Sequence, residues 1–201
     1  MTTTFEYGGT SAAAVAAGPR RAAAVALLAG TLLAATALSM HPRGGGADLD
    51  FLRHVGEEPT RWLVGHVLMA VGGVLLLLGI TAVPALARAR GRRLVKASSV
   101  LAGIGAVSTA LGDFAHGALA YVLIDEVHVE KSLEIQNQFY EQPLLALISM
   151  PGLLLPIGLL VLGLGLLISR AVPVAVGVLV LVAPVAVQAG YAVTALPMPS
   201  L

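Results

Sequence analysis

The sequence predicts an all-α fold: a polytopic transmembrane helix bundle of five spans, with the N-terminus in the cytoplasm and the C-terminus outside. Two observations predict the membrane. Hydrophobic residues make up 57% of the 201 residues and charged residues 11%, whereas a soluble domain carries about 25% charged residues. The apolar residues are also gathered in long unbroken runs. A chain so poor in charge could not hydrate its surface, so lipid must cover much of it.

Five apolar runs are long enough to cross the hydrocarbon core, which takes about 20 residues of α-helix. They cover residues 22–40, 62–87, 97–124, 143–169 and 174–196. Membrane-spanning strands alternate apolar and polar residues over about 10 positions, and runs such as GVLLLLGITAVPALA do not alternate. We therefore predict a single transmembrane domain over residues 19–201. The small and polar residues 1–18 before it predict a disordered cytoplasmic segment.

The charges of the connectors predict the orientation of the spans. The connector RARGRRLVK has five basic residues and no acid, and only Arg20, Arg21 and Arg170 flank the membrane in the other two basic segments. Residues 41–61 are mixed in charge, and residues 125–142 are mainly acidic. Because basic loops stay in the cytoplasm, all five spans agree on one orientation in a plasma membrane. The scarcity of lysine beside abundant Ala, Gly and Arg indicates GC-rich coding DNA and a bacterial source.

The first span has a second interpretation. Arg20 and Arg21 followed by a short apolar run of small residues also fit a secretory signal peptide. No A-x-A motif stands immediately before His41. We therefore expect an uncleaved helix, whereas cleavage would leave four spans.

Both connectors predicted to lie outside contain apolar residues at helical spacing. In residues 49–62, Leu49, Leu52 and Val55 share one helical face, and residues 125–142 show a similar pattern. These patterns predict two short helices lying in the membrane interface. Trp62 marks the water boundary of the second span. The two helices would either seal the end of the bundle or cover a pocket.

Three ionisable residues lie inside the predicted spans: His66, Asp113 and His116. Ionisable residues are costly in lipid, so each one indicates a candidate functional site. Asp113 and His116 are three residues apart and share a helical face with small residues, which predicts that this face packs against other helices. Gln188 and Tyr191 lie at a similar depth in the fifth span. The five side chains therefore predict a polar layer in the outer half of the bilayer.

Two interpretations of this layer involve no cofactor. It can be a structural hydrogen-bond network between helices. It can instead be a site for a lipid, a quinone or another small apolar molecule, because such sites are mostly apolar with a few convergent polar groups. In the inner half of the second span the only polar side chain is Thr81, and in that of the fifth span there is none, which argues against an ion path through one chain. We expect a structural or ligand-binding module, or a support for a partner membrane protein, rather than an enzyme.

Two further interpretations require a cofactor. His66 and His116 on adjacent spans could be the axial ligands of haem b in a redox subunit. The same histidines with Asp113 could bind zinc in a membrane hydrolase. His41, His54 and His128 are interpreted as ordinary loop residues. H-E-x-x-H, G-x-S-x-G and G-x-x-x-x-G-K-[ST] motifs are absent, and a net charge of +1 gives no reason to expect a nucleic-acid partner.

Overall fold

The computed structural model describes residues 12–41, 49–87, 90–126 and 129–194, without the side chains of residues 12–20, 50, 125, 126, 129, 188 and 190–194. All secondary structure in these residues is helical, with no strand. The helices are α1 Ala12–Met40, α2 Leu49–Glu57, α3 Pro59–Ala82, α4 Arg92–Glu126, α5 Val129–Tyr140, α6 Pro143–Ser149, α7 Leu154–Ser169 and α8 Val174–Thr194. Short 3-10 turns, Val83–Ala85 and Met150–Leu153, follow α3 and join α6 to α7.

Four segments of the described chain are long and apolar enough to cross a membrane: Arg21–Met40, Pro59–Ala85, Arg92–Ile124 and Pro143–Ser169. The prediction of a multi-pass, lipid-contacting helical protein is therefore confirmed. In α8 the described apolar part, Val174–Val187, is shorter. Helix α1 begins at Ala12, inside the segment of residues 1–18 for which the sequence predicts disorder, because a run of alanines favours helix.

The long helices form a row in which each one packs against the next along the chain: α1 on α3, α3 on α4, α4 on α7, and α7 on α8. Helix α4 is the central member. Half of its spanning window, 50%, is buried, against 11% for α1. Helices α4 and α7 separate α8 from α3, so the spans that carry Gln188 and His66 are not neighbours. Such a row suits a membrane, because lipid covers both faces of a row as readily as it covers the outside of a closed bundle.

The face of α4 that carries Gly105 and Gly112 packs against α7 and α6, respectively. This is the face for which the sequence predicts contact with other helices. A Cβ atom on Gly105 would collide with the backbone nitrogen of Leu155. One heptad further along α4, a Cβ on Gly112 would lie 3.4 Å from Ser149 Oγ, an ordinary van der Waals contact. Any side chain at position 105 would therefore force α4 and α7 further apart.

Pro151 lies where the helical path between α6 and α7 is interrupted by the 3-10 turn. Proline has no backbone N–H and cannot continue the α-helical bonding pattern. At this interruption, Ser108 Oγ of α4 donates a hydrogen bond to the carbonyl of Ile148. The α-helix is thus interrupted at Pro151, and α4 supplies a donor to a carbonyl beside it.

Helices α2 and α5 cover one end of the row, which we call the α2–α5 end. Leu52 and Val55 are almost fully buried there and form a core with Phe51, Trp62 and Ala120. Leu133 of α5 packs against the same core. Both predicted short helices are confirmed, but their apolar faces contact protein rather than lie in the membrane interface, because α4 offers an apolar surface at Ala120.

Candidate histidine–tryptophan site

Trp62 is the centre of the candidate site at the α2–α5 end. Pro59 begins α3, a position that suits proline because its missing N–H would have no partner in the first turn. Trp62 follows within that turn and is only 2% exposed. Its indole Nε1 donates a 3.1 Å hydrogen bond to the carbonyl of Gly117, and its ring centroid lies 5.2 Å from that of Phe51. The indole therefore joins α3 to α4.

The structure brings His66 and His116 together, with 5.4 Å between their ring centroids. Trp62 contacts both rings, at centroid distances of 4.0 Å to His66 and 5.3 Å to His116. The contact depends on Gly117, because a Cβ there would collide with the side chain of His66. The sequence predicts that His66 and His116 lie at a similar depth in the bilayer, and in the structure their rings are in contact.

His66 has a defined tautomer. Its Nδ1 lies 3.0 Å from the carbonyl oxygen of Trp62. A carbonyl only accepts, so Nδ1 carries the proton and Nε2 of the neutral ring is an acceptor. Nε2 has no hydrogen-bond partner among the described residues. His66 is 5% exposed, so this acceptor lies inside the protein.

His116 is held by Tyr140 of α5. The tyrosine hydroxyl bonds Nδ1 of His116, and Gln136 bonds the same hydroxyl. Burial raises the pKa of Tyr140, although the hydrogen bond from Gln136 opposes this. Gln136 Oε1 has no partner among the described residues, so Gln136 donates to the hydroxyl through its amide nitrogen. The hydroxyl can then donate its own proton to Nδ1, and in this arrangement Nε2 of His116 carries the ring proton and is a donor. On the same helix, Ser132 Oγ donates a 3.0 Å hydrogen bond to the carbonyl of Leu123 and anchors α5 to α4.

Three residues that the sequence analysis did not place in the site belong to it: His41, Gln136 and Tyr140. The ring centroid of His41 lies 5.2 Å from that of His66 and 4.8 Å from that of Trp62. The interpretation of His41 as an ordinary loop residue is therefore wrong. The sequence gives only a weak indication of Gln136 and Tyr140. They are four residues apart, so they share a face of a predicted helix.

A cavity of about 410 Å³ opens beside the cluster, lined by Ser39, Met40, His41, His54, Val55, Glu57, Glu58, Arg61 and Trp62. Arg61 and Glu58 form a 2.6 Å ion pair at its rim. His41 and Trp62, whose rings contact His66, line it, whereas His66 and His116 do not. The cavity thus reaches two of the aromatic rings of the site.

The remaining predicted site residues are not joined to this cluster by contacts that the structure describes. Asp113 is half-buried one helical turn from His116, and it makes no hydrogen bond or ion pair with a described residue. The side chains of Gln188 and Tyr191 lie outside the described part of the chain. Their helix, α8, packs mainly on α7 and is separated from α3 by two helices.

Neither proposed cofactor fits these residues. Over the described ranges, no three His, Asp or Glu side chains are arranged to hold a metal ion, so His66, Asp113 and His116 do not form a zinc ligand set. A haem would need space for its porphyrin between the two histidines. Trp62 contacts both rings, and His66 packs directly on Gly117, which leaves no slot for haem b.

The chemistry that remains is hydrogen bonding beside aromatic rings. His66 offers an acceptor and His116 a donor, and the indole of Trp62 contacts both. The chain matches no protein-family model, no curated protein and no solved structure. Its function must therefore follow from its own geometry.

Proposed function

We propose that this protein is a five-span plasma-membrane module that binds a small amphipathic molecule at its α2–α5 end. The molecule would have a flat head that carries oxygen atoms, as a quinone does, and an apolar tail. The observation that carries the proposal is the imidazole pair of buried His66 and half-buried His116, each with Nδ1 engaged, beside Trp62. This pair leaves one acceptor and one donor without partners among the described residues.

The hydrogen-bonding capacity of the pair suits an oxygen-bearing ring. A hydroxyl group can donate to Nε2 of His66 and accept from Nε2 of His116, while a quinone carbonyl can accept from His116 alone. A flat ring also makes favourable offset contacts with an indole or imidazole. The 410 Å³ cavity bounded by His41 and Trp62 is within the range of about 300–1,000 Å³ for small-molecule sites.

The orientation of the module follows from its charges. Arg92, Arg93 and Lys96 begin α4 and are exposed at the end of the row opposite to α2 and α5. Because basic segments stay in the cytoplasm, the α2–α5 end would face outside. Helix α8 has 21 residues, enough to cross the hydrocarbon core. Five spans then place the N-terminus inside and the C-terminus outside.

Trp62 is the only tryptophan in the chain, so its fluorescence reports binding at the site directly. We expect decylubiquinone to quench this emission saturably in detergent-solubilised protein. His116→Phe, which keeps an aromatic ring but removes the Nε2 donor, should weaken binding by about two- to tenfold, the effect of losing one hydrogen bond of about 0.5–1.5 kcal/mol.

Two tyrosines provide a matched control for this titration. Tyr140→Phe removes the hydroxyl that holds His116 and should weaken binding by a similar factor. Tyr121→Phe removes a hydroxyl from the half-buried tyrosine packed on the same core, and should leave binding unchanged. Quenching that stays linear in quinone concentration, or that is equal in all variants, would show partitioning into the micelle and a purely structural role for the cluster.

The proposed orientation can be tested by cysteine labelling, because the chain contains no cysteine. Glu130→Cys on α5 should react with a membrane-impermeant maleimide on intact cells. Arg93→Cys at the start of α4 should react only after the cells are lysed. Both native side chains are exposed, so burial would not explain a difference. The reverse labelling pattern would contradict the orientation.

A further inference from the structure

A second cavity lies at the opposite end of the α3–α4 pair, away from the histidine–tryptophan site. It is a groove of about 700 Å³ between α3, α4 and the 3-10 turn at Pro151. Lys96 lies at one end of its α4 wall and Leu111 at the other. These residues are 15 positions apart, so the groove extends about 22 Å along the helix, most of the hydrocarbon thickness of about 30 Å.

Besides Lys96, three polar residues line the groove: Thr81, Ser99 and Ser108. Thr81 Oγ1 donates a 2.9 Å hydrogen bond to the carbonyl of Leu78, and Ser108 Oγ donates to the carbonyl of Ile148. Ser99 is different: it is 5% exposed, and its hydroxyl has no hydrogen-bond partner in the part of the chain that the structure describes. A buried hydroxyl without a partner costs free energy, so an oxygen atom supplied by a ligand would relieve that cost.

The charges at this end select an anionic ligand. Lys96 lines the groove, and Arg92 and Arg93 are exposed one turn before it on α4. No acidic residue lies in the first turn of this helix. Beyond Ser99 the α4 wall is apolar, formed by side chains such as Val100, Ile104 and Val107, except at Ser108, whose hydroxyl already bonds the carbonyl of Ile148.

We propose that this groove binds one acyl chain of an anionic phospholipid. The phosphate would lie at Lys96, an ester oxygen would accept a hydrogen bond from Ser99 Oγ, and the acyl chain would follow the apolar wall towards Leu111. The spacing agrees with this placement, because Ser99 is three residues, or about 4.5 Å, deeper than Lys96 along α4. With the proposed orientation, the lipid belongs to the inner leaflet, where anionic lipids attract basic residues.

Native mass spectrometry of the full chain tests the charge requirement. The protein would be equilibrated with equal amounts of phosphatidylglycerol and phosphatidylcholine that have the same acyl chains. We expect one retained phosphatidylglycerol per chain. Lys96→Gln should lower its retention about fivefold, because a basic residue near the membrane surface contributes about 1 kcal/mol. Lys131→Gln removes the only other lysine, on α5, and should have no effect.

Two further variants test the groove itself. Val100→Phe should fill it and reduce retention of both lipids, whereas Val122→Phe alters an equally exposed position of α4 outside the groove and should not. Ser99→Ala should weaken both lipids alike, because both carry ester oxygens. Equal retention of the two lipids by the wild-type protein, or an equal loss in Lys131→Gln, would overturn the proposal. A dimer that Val100→Phe disrupts would also overturn it and assign the groove to a second copy of the chain.

Discussion

Substituting alanine for Gly105 should lower the melting temperature of the detergent-solubilised protein by about 2–12 °C. The new Cβ would collide with the backbone of Leu155 on α7, and backbone cannot move aside as the end of a flexible side chain can. Overpacking costs about 1–3 kcal/mol, and each kcal/mol shifts the melting temperature of a protein of this size by about 2–4 °C. Thermal unfolding followed by circular dichroism measures the change.

Gly112→Ala is the matched control, since it makes the same change on the same face of α4. Its Cβ would lie 3.4 Å from Ser149 Oγ, so no atom has to move. Alanine is also the better helix former by about 1 kcal/mol, and the melting temperature should stay constant or rise slightly. If both variants melted alike, α4 and α7 would not pack as closely as the structure shows.

Trp62→Ala should have an even larger effect, a loss of about 3–5 kcal/mol and of at least 6 °C in melting temperature, estimated from buried Trp truncations and the usual scaling for this chain length. The substitution leaves a cavity among Phe51, His66 and His116 and removes the hydrogen bond to Gly117. The measurement again uses circular dichroism, because the variant contains no tryptophan to report by fluorescence.

Trp62→Phe separates the two contributions. It keeps most of the aromatic packing and loses the hydrogen bond from Nε1, so it should cost only about 1 kcal/mol for the bond plus a smaller loss of packing. A loss as large as that of Trp62→Ala would mean that the bond to Gly117, rather than ring packing, holds α3 against α4. The structure favours packing, because the indole contacts four other aromatic rings.

The parts of the fold that could be predicted are those that depend on local composition. Apolar length locates the spans, Pro151 locates the interruption between α6 and α7, and apolar spacing locates α2 and α5. The order of packing could not be predicted in the same way. Lipid is as apolar as a neighbouring helix, so an apolar face such as that of α8 does not show whether it contacts protein or lipid.

The candidate site was only partly predictable for a related reason. His66 and His116 could be identified because ionisable residues stand out inside apolar spans. His41 and Tyr140 could not, because polar residues are ordinary in connectors and their role depends on how α2 and α5 fold back over the row. Asp113 stood out by the same criterion as the histidines, yet the described residues give it no bonding partner.

The histidine–tryptophan cluster also constrains when the protein can complete its structure during synthesis. Its members lie between His41 and Tyr140, which are 99 residues apart. At translation rates of about 5–20 residues per second, roughly 5–20 s separate the emergence of these two residues from the ribosome. Trp62 and His66 emerge 78 and 74 residues before Tyr140, so for most of that interval they lack Tyr140 and its helix above them. The early helices must therefore be held by the α1–α3 contact until the later segments arrive.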